Sequence, residues 1–398
     1  MNYILFDNQQ DRENLLPFTF TRPVAAIRIG ILTIAEKWGK LLLSPVSYLT
    51  QDYLQEKFAI KLSNNNIFIN GSICPNQLLV DEINKLKEGE ALVKGNTIIA
   101  FYNQLFVEND NISETFKLIE TKADEFLHIQ FPHHIFSQNG AAIQNDFQLI
   151  TANRKSQPIS ATNQVIAPEN VFIEEGAKVE CSILNASTGP IYIGKDAEIM
   201  EGCKVRGPFS LGEHAGLKMD AKIYGPTTVG PHCKVGGEVN NVVFFGYSNK
   251  GHDGFVGNAV IGEWVNMGAD TNNSNLKNTY DEVKLWSYPS QKFEKTGLTF
   301  CGLMMADHAK CGINTMFNTG TVVGVGANLF GAGFPRNYIP DFAWGGAQGF
   351  ETFVLSKFFK TAEAVYKRRN MELNDIDRKI LTYIFNETKQ YRFWENKQ

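Results

Sequence analysis

Three groups of residues in this sequence carry side chains able to do chemistry. The first is His252, set in Tyr247-Ser248-Asn249-Lys250-Gly251-His252-Asp253-Gly254-Phe255, where flanking glycines expose the ring. A histidine so placed could move a proton near neutral pH. The spacing suits a structural histidine equally well, and Asp253 is not taken as its partner because neighbouring strand side chains point apart. The second group is the amide-rich stretch 264–277, with Asn266, Asn272, Asn273, Asn275 and Lys277. Amides and hydroxyls can orient a sugar, or asparagines can simply fill left-handed corners. The third is Asp7, Arg12, Arg22 and Arg28 beside a short apolar run; they could hold a phosphate or frame a loop by ion pairing. The first glycine is Gly30, so no glycine-rich phosphate loop accompanies them. His133-His134 lacks a third ligand, and no metal site is expected.

What must position these groups is a repeat. Ile193, Ile199, Val205, Leu211, Leu217, Ile223, Val229 and Val235 recur every six residues, a period of neither helix nor isolated strand. Each hexapeptide then supplies one short strand and one corner of a parallel β-helix, with the aliphatic side chain inward. His214 and His232 fall at corners. The ladder starts raggedly at Ile173 and Val179, stops at Asn240-Asn241, resumes with Ile261 and Met267, breaks at about 270–298, and returns from Met305 to Leu329. Both breaks are expected to loop outward from one face, carrying the two polar stretches with them. His308 lies in the resumed ladder.

Ahead of the repeat, strands at residues 3–6, 67–70 and 97–101 alternate with helices at 31–43 and 113–126, which predicts a layered α/β domain over 1–150. Residues 132–168 read as a polar, loop-rich boundary, the β-helix as 160–345, and residues 350–398 as C-terminal helices, the first over 351–369 and the second capped by Asn374. Lys367-Arg368-Arg369 reads most simply as a charge cluster favourable at a helix C-terminus, with a ligand role as the alternative.

The net charge of -4 opposes non-specific nucleic-acid binding. No apolar run approaches the roughly 18 residues of a membrane span, and the N-terminus lacks a signal-peptide pattern. The six cysteines form no C-x-x-C pair, so neither disulfides nor zinc are expected and a reducing, cytoplasmic setting is.

The ladder followed by Asn249-Lys250-Gly251-His252 and Val265-Asn266-Met267-Gly268-Ala269 resembles the acetyltransferase half of the bifunctional bacterial enzyme that acetylates and then uridylylates glucosamine-1-phosphate. Over its whole length the chain is similar to the alternative, Bacteroidetes-type branch of that family, which shares the stretches Leu15-Leu16-Pro17-Phe18-Thr19-Phe20-Thr21-Arg22-Pro23 and Thr271-Asn272-Asn273-Ser274-Asn275-Leu276-Lys277-Asn278. The resemblance implies a left-handed β-helix, a homotrimer, and acetyl-CoA held between neighbouring prisms. It implies His252 as general base, Asn266 as a substrate contact, and Gly268 and Ala269 against the acetyl-CoA arm. Phe255 stands where the family has a tyrosine that contacts the sugar. Asn240 and Asn241 replace a lysine pair, leaving Lys222, Lys250 and Lys277 to neutralise phosphate. For the first domain it implies nucleotidyl transfer, with UTP and Mg2+ needed only if that domain is active; the residues read above from their place beside the first strand as nearest to a nucleotide or phosphate are Asp7, Arg12 and Arg22. A non-catalytic sugar-nucleotide-binding or scaffold protein is the alternative.

Overall fold

The computed structural model describes residues 1–107, 112 and 114–395. It divides into two compact units, Met1–Ile27 with Leu32–Phe131, and Arg28–Ile31 with the described residues from Pro132 onward.

The first unit is built on a six-stranded sheet in the order β2-β1-β3-β5-β4-β6. Its strands are β1 (Asn2–Phe6), β2 (Val46–Leu49), β3 (Asn66–Asn70), β4 (Glu90–Lys94), β5 (Thr97–Asn103) and β6 (Lys117–Glu120). β1 runs parallel to β2 and β3, whereas β5 is antiparallel to β3 and β4. The helix Ile34–Leu41 starts at a capping box between Thr33 and Glu36 and buries Trp38, whose indole N–H donates to the Ile73 carbonyl at 2.8 Å. Of the helix expected over 113–126, residues 114 and 115 are helical and those from 116 onward are not. Ser113 lies outside the described residues, and residues 117–120 are an edge strand parallel to β4, mostly exposed and so without the alternation that marks a half-buried strand.

In the second unit a parallel β-solenoid of about 10 turns spans residues 164–345 and is followed by helices. Ile193 pairs with Leu211 and Leu211 with Val229, eighteen residues or three hexapeptides per coil. Every ladder aliphatic from Ile193 to Val235 is buried in one continuous core. Leu211→Ala, which removes a fully buried side chain between two coils, is expected to cost about 2–5 kcal/mol of unfolding free energy in urea denaturation followed by circular dichroism.

The first break is not an excursion. Glu238–Gly246 and Phe255–Glu263 are nine-residue strands paired in register, and the former serves two rows at once, next to Lys222–Tyr224 and next to Thr227–Val229. Val239, Val242 and Phe244 take the inward positions. The six-residue spacing vanishes because Val229 now pairs with Phe244, fifteen residues on. Only 251–254 leave the ladder. The second break does project, as the antiparallel hairpin Lys284–Ser287 with Lys292–Lys295.

Residues 132–151, expected as boundary loop in the first domain, are the helices Pro132–Ser137 and Asn139–Thr151 of the second unit. Their polar residues are used inside: Asn139 Oδ1 accepts from Gly30 N–H at 2.7 Å and Asp146 Oδ2 from Ile31 N–H at 2.8 Å. At the far end Gly349–Thr352, whose last two residues are expected to begin a helix, is a strand antiparallel to Ala343–Gly346. The helices that follow are Leu355–Lys367 and Asp375–Glu387, the latter capped by Asn374 accepting from Asp377 N–H at 2.8 Å.

Candidate functional site

His252 is exposed on the turn that leaves the short strand Asn249–Lys250 and enters Phe255–Glu263. It opens onto a groove of about 620 Å³ whose walls also include Asn266, Gly268 and Ala269. A cavity of this size suits a small-molecule ligand. Asn266 follows Asn249 one coil on, in register, and its side chain is exposed. Gly268 adds surface more than hydrogen bonds, since its N–H donates to the Cys311 carbonyl at 3.0 Å and its carbonyl accepts from Thr271 Oγ1 at 2.7 Å.

Cations dominate the groove. Lys218, Lys234, Lys310, Arg368 and Arg369 line it, and among the described residues no carboxylate does. Burial lowers the pKa of Lys234, and Arg369, Lys218 and Arg368 lower it further. Burial takes the Lys310 ammonium down to about 8, with its Nζ donating to the His308 carbonyl at 3.1 Å. Arg368 and Arg369 close the helix Leu355–Lys367, and Arg369 Nη2 donates to Asn249 Oδ1 at 3.0 Å. They stand at the helix C-terminus, as expected, and line the groove as well.

An aromatic edge fixes that helix. His214, His232, Tyr247, Trp264 and His308 occupy successive corners with φ between 55° and 62°, so their rings stack along the solenoid. Tyr366 of the helix lies on Trp264 with centroids 3.9 Å apart and parallel to His308 at 6.1 Å. Offset stacking of this kind is worth about 0.5–1.5 kcal/mol per pair beyond burial.

Four other predicted contacts fall elsewhere. Lys250 takes an inward ladder position beside Val235, is 1% exposed, and turns its ammonium to the His252 and Asp253 carbonyls and not to solvent. Lys277 sits in a separate pocket with Lys284, Trp286, Arg336 and Phe393, its Nζ donating to the Glu282 carbonyl at 2.8 Å. Lys222 is exposed on the solenoid strand Lys222–Tyr224, outside the groove. Phe255 packs over Gly257. The asparagines 272, 273 and 275 neither fill left-handed corners nor line the groove: Asn272 Oδ1 accepts from Phe255 N–H at 2.8 Å, Asn273 bridges both polar groups of Gly257 at 2.9 and 3.0 Å, and Asn275 donates to Asn258 Oδ1 at 2.8 Å. Side-chain amides here continue the ladder that the backbone leaves.

In the first unit a cavity of about 860 Å³ lies at the carboxyl ends of β1, β2 and β3, lined by Asp7, Asp11, Thr50, Asn70, His128 and Gln130 among others. Carboxyl ends of parallel strands are where open α/β sheets place ligands. Asp7 is not free to hold a cation: Oδ1 accepts from Val24 N–H at 2.8 Å, Oδ2 from Thr50 Oγ1 at 2.6 Å, and Arg12 Nε lies 3.4 Å from Oδ2. Burial raises its pKa, opposed chiefly by Arg12. Arg12 itself is buried and donates to the Thr19 carbonyl and Tyr53 hydroxyl at 2.9 and 2.8 Å, which makes it a tie for the Leu15–Phe20 loop and not a phosphate ligand. Arg22 is buried as well. His128 Nε2 meets both Asp11 Oδ2 at 2.7 Å and Ser72 Oγ at 3.1 Å; with one nitrogen serving both, this is not a hydrolase triad. Among the described residues no group of three or more His, Cys, Asp or Glu side chains is arranged to hold a metal.

Residues 3–155 match the family model for sugar nucleotidyl transferase. No curated protein matches the chain. Among solved structures it is similar to the polySia-specific acetyltransferase NeuO (10% identity, TM-score 0.26, covering 48% of this chain and 82% of that one). It is also similar to the Arabidopsis UDP-N-acetylglucosamine acyltransferase (12%, TM-score 0.23, 60% and 92%). A third is AntD, an N-acyltransferase from Bacillus cereus in complex with dTDP and 3-hydroxybutyryl-CoA (14%, TM-score 0.24, 52% and 91%).

The structure therefore unites His252, Asn266, Gly268 and Ala269 in one groove, leaves Lys222, Lys277 and Phe255 out of its lining, puts Lys250 inside the solenoid beneath the His252 turn, and adds five cations that sequence spacing did not reveal. The signal available was the basic end of the Leu355–Lys367 helix; what no local pattern shows is a partner 120 residues away.

Proposed function

We propose that this chain is an acetyl-CoA-dependent N-acyltransferase acting on an amino-sugar phosphate of the glucosamine-1-phosphate type, with residues 160–345 carrying the reaction and the helices within 350–398 completing the groove. The observation that carries the reading is His252 beside five cations in a groove free of carboxylates among the described residues. Both reactants are anionic, through the phosphates of the donor and of the acceptor, and a carboxylate-free cationic cleft draws them together. His252 takes a proton from the acceptor amine as nitrogen attacks the thioester carbonyl. The C–N bond forms, the C–S bond breaks, and the departing thiolate takes the proton back from the imidazolium. Asn266, next to the base, orients the sugar through its amide. The working form in this reading is a homotrimer, with the donor lying between neighbouring prisms.

The test is release of free thiol from acetyl-CoA on addition of glucosamine-1-phosphate, with light scattering for the trimer. No turnover with that acceptor or related amino-sugar phosphates sinks it. A second reading, sugar-nucleotide binding without catalysis, draws on the family match of residues 3–155 and the cavity at the carboxyl ends of β1–β3. Calorimetry that detects a UDP-sugar but no acetyl-CoA favours it.

A further inference from the structure

The inward-pointing lysine of the solenoid has no packing reason to be there. At its position the preceding coil has Val235, and the whole row is aliphatic up to it: Val179, Ile199, Leu217, Val235. Burying an ammonium there costs desolvation free energy that a methionine or leucine would avoid. What the ammonium gains is local. Nζ donates to the His252 carbonyl at 2.5 Å and to the Asp253 carbonyl at 3.1 Å, two charge-assisted bonds to the turn that carries the imidazole. The same turn is held from the next coil, where Asp270 N–H donates to the Asp253 carbonyl at 3.0 Å. It has no room to shift along the axis: a side chain at Gly237 would lie 2.8 Å from the His252 carbonyl oxygen, and one at Gly254, whose φ is +113°, would run into the Thr271 carbonyl.

We propose that Lys250 is the positioning residue of His252: from inside the solenoid its ammonium grips the two carbonyls of the turn and so fixes where the imidazole stands in the groove. The kinetic consequence rests on the acyl-transfer reading; the structural one does not. Burial takes the Lys250 pKa down to about 8, opposed by Asp253 on its own turn, Cys311 on the strand Lys310–Cys311 and Asp270 at the corner of the following coil. Above that pH the amine is neutral and the grip weakens. The fold does not weaken with it. An unfolded lysine titrates near 10.4, so between about 8 and that value the native state binds fewer protons than the unfolded one, and this group makes stability rise with pH. Activity and stability should therefore part company on the alkaline side.

The experiment compares the full chain with Lys250→Met, which keeps the side-chain length without the charge. The expected result is a thermal midpoint at or above the parent's, amide exchange over 251–255 faster by about tenfold, kcat down about 10- to 100-fold with KM within about twofold, and no alkaline limb near pH 8. Unchanged exchange and unchanged kcat overturn the proposal, as does an alkaline limb that survives in the variant, which Lys310 would produce. Should the methionine variant not fold, exchange over 251–255 in the parent, corrected for base catalysis, must accelerate through pH 8 relative to neighbouring coils, and a flat ratio overturns the proposal equally. If the parent transfers no acyl group, the acyl-transfer reading fails while exchange alone still decides the role of Lys250.

Discussion

His252→Ala is expected to lower kcat for acyl transfer by about 10²- to 10⁴-fold, the range for loss of a positioned general base, with KM for both reactants changed by less than about threefold. The reasons are geometric. The ring is exposed and lines the groove, so it bears no core packing whose loss would confuse the result. The turn beneath it is held through carbonyls and not through the imidazole, so alanine leaves 251–254 in place. Binding of acetyl-CoA to the variant, measured by calorimetry, should match the parent. Turnover retained in a well-folded variant would remove His252 from the mechanism and leave the cationic groove as a binding site alone.

The paired replacement Arg368→Ala with Arg369→Ala should act on the opposite parameter. A hydrogen bond to a charged group contributes about 1.5–3 kcal/mol, so losing one such bond to the phosphate when both guanidinium groups are removed is expected to raise KM for the phosphorylated reactant by about 10- to 100-fold while kcat falls less than about threefold. Because the guanidinium groups act through charge, the parent's KM should rise with added salt and the variant's should rise less steeply. The helix remains docked through Tyr366 on Trp264, so the thermal midpoint should move little. A KM that does not change at low ionic strength would assign the arginines to the helix end after all.

The two results separate because the groove is assembled from two sources. The solenoid was legible in the amino-acid sequence since an inward aliphatic every six residues has one physical reading, and the corner positions of His214 and His232 followed from it. The misreading of the first break came from the same rule. When a coil shortens from eighteen residues to fifteen between Val229 and Phe244, the ladder loses its period while the core continues through Val239, Val242 and Phe244. Lys250 misled for a related reason: a lysine among polar residues looks like a surface ligand, and only the pairing with Val235 shows that it faces inward. The helices Pro132–Ser137 and Asn139–Thr151 were concealed by amides and a carboxylate that find their partners at residues 30 and 31, more than a hundred positions away. Arg369 and Asn249 are separated as widely. Long-range polar pairing leaves no local trace.

The strand Gly349–Thr352, turned back against Ala343–Gly346, has a consequence for how this rod can grow. Every earlier rung offers the next one a parallel template, and a rod that ended on such a rung would invite other rods to stack on it into fibres. A reversed final strand withdraws that template on the row of Ala343–Gly346, while the row of Tyr338–Ile339 ends on a parallel strand. On that row, lengthening the protein by gene duplication would then favour new rungs spliced in upstream of residue 343, because a rung added beyond the reversed strand would meet an antiparallel edge.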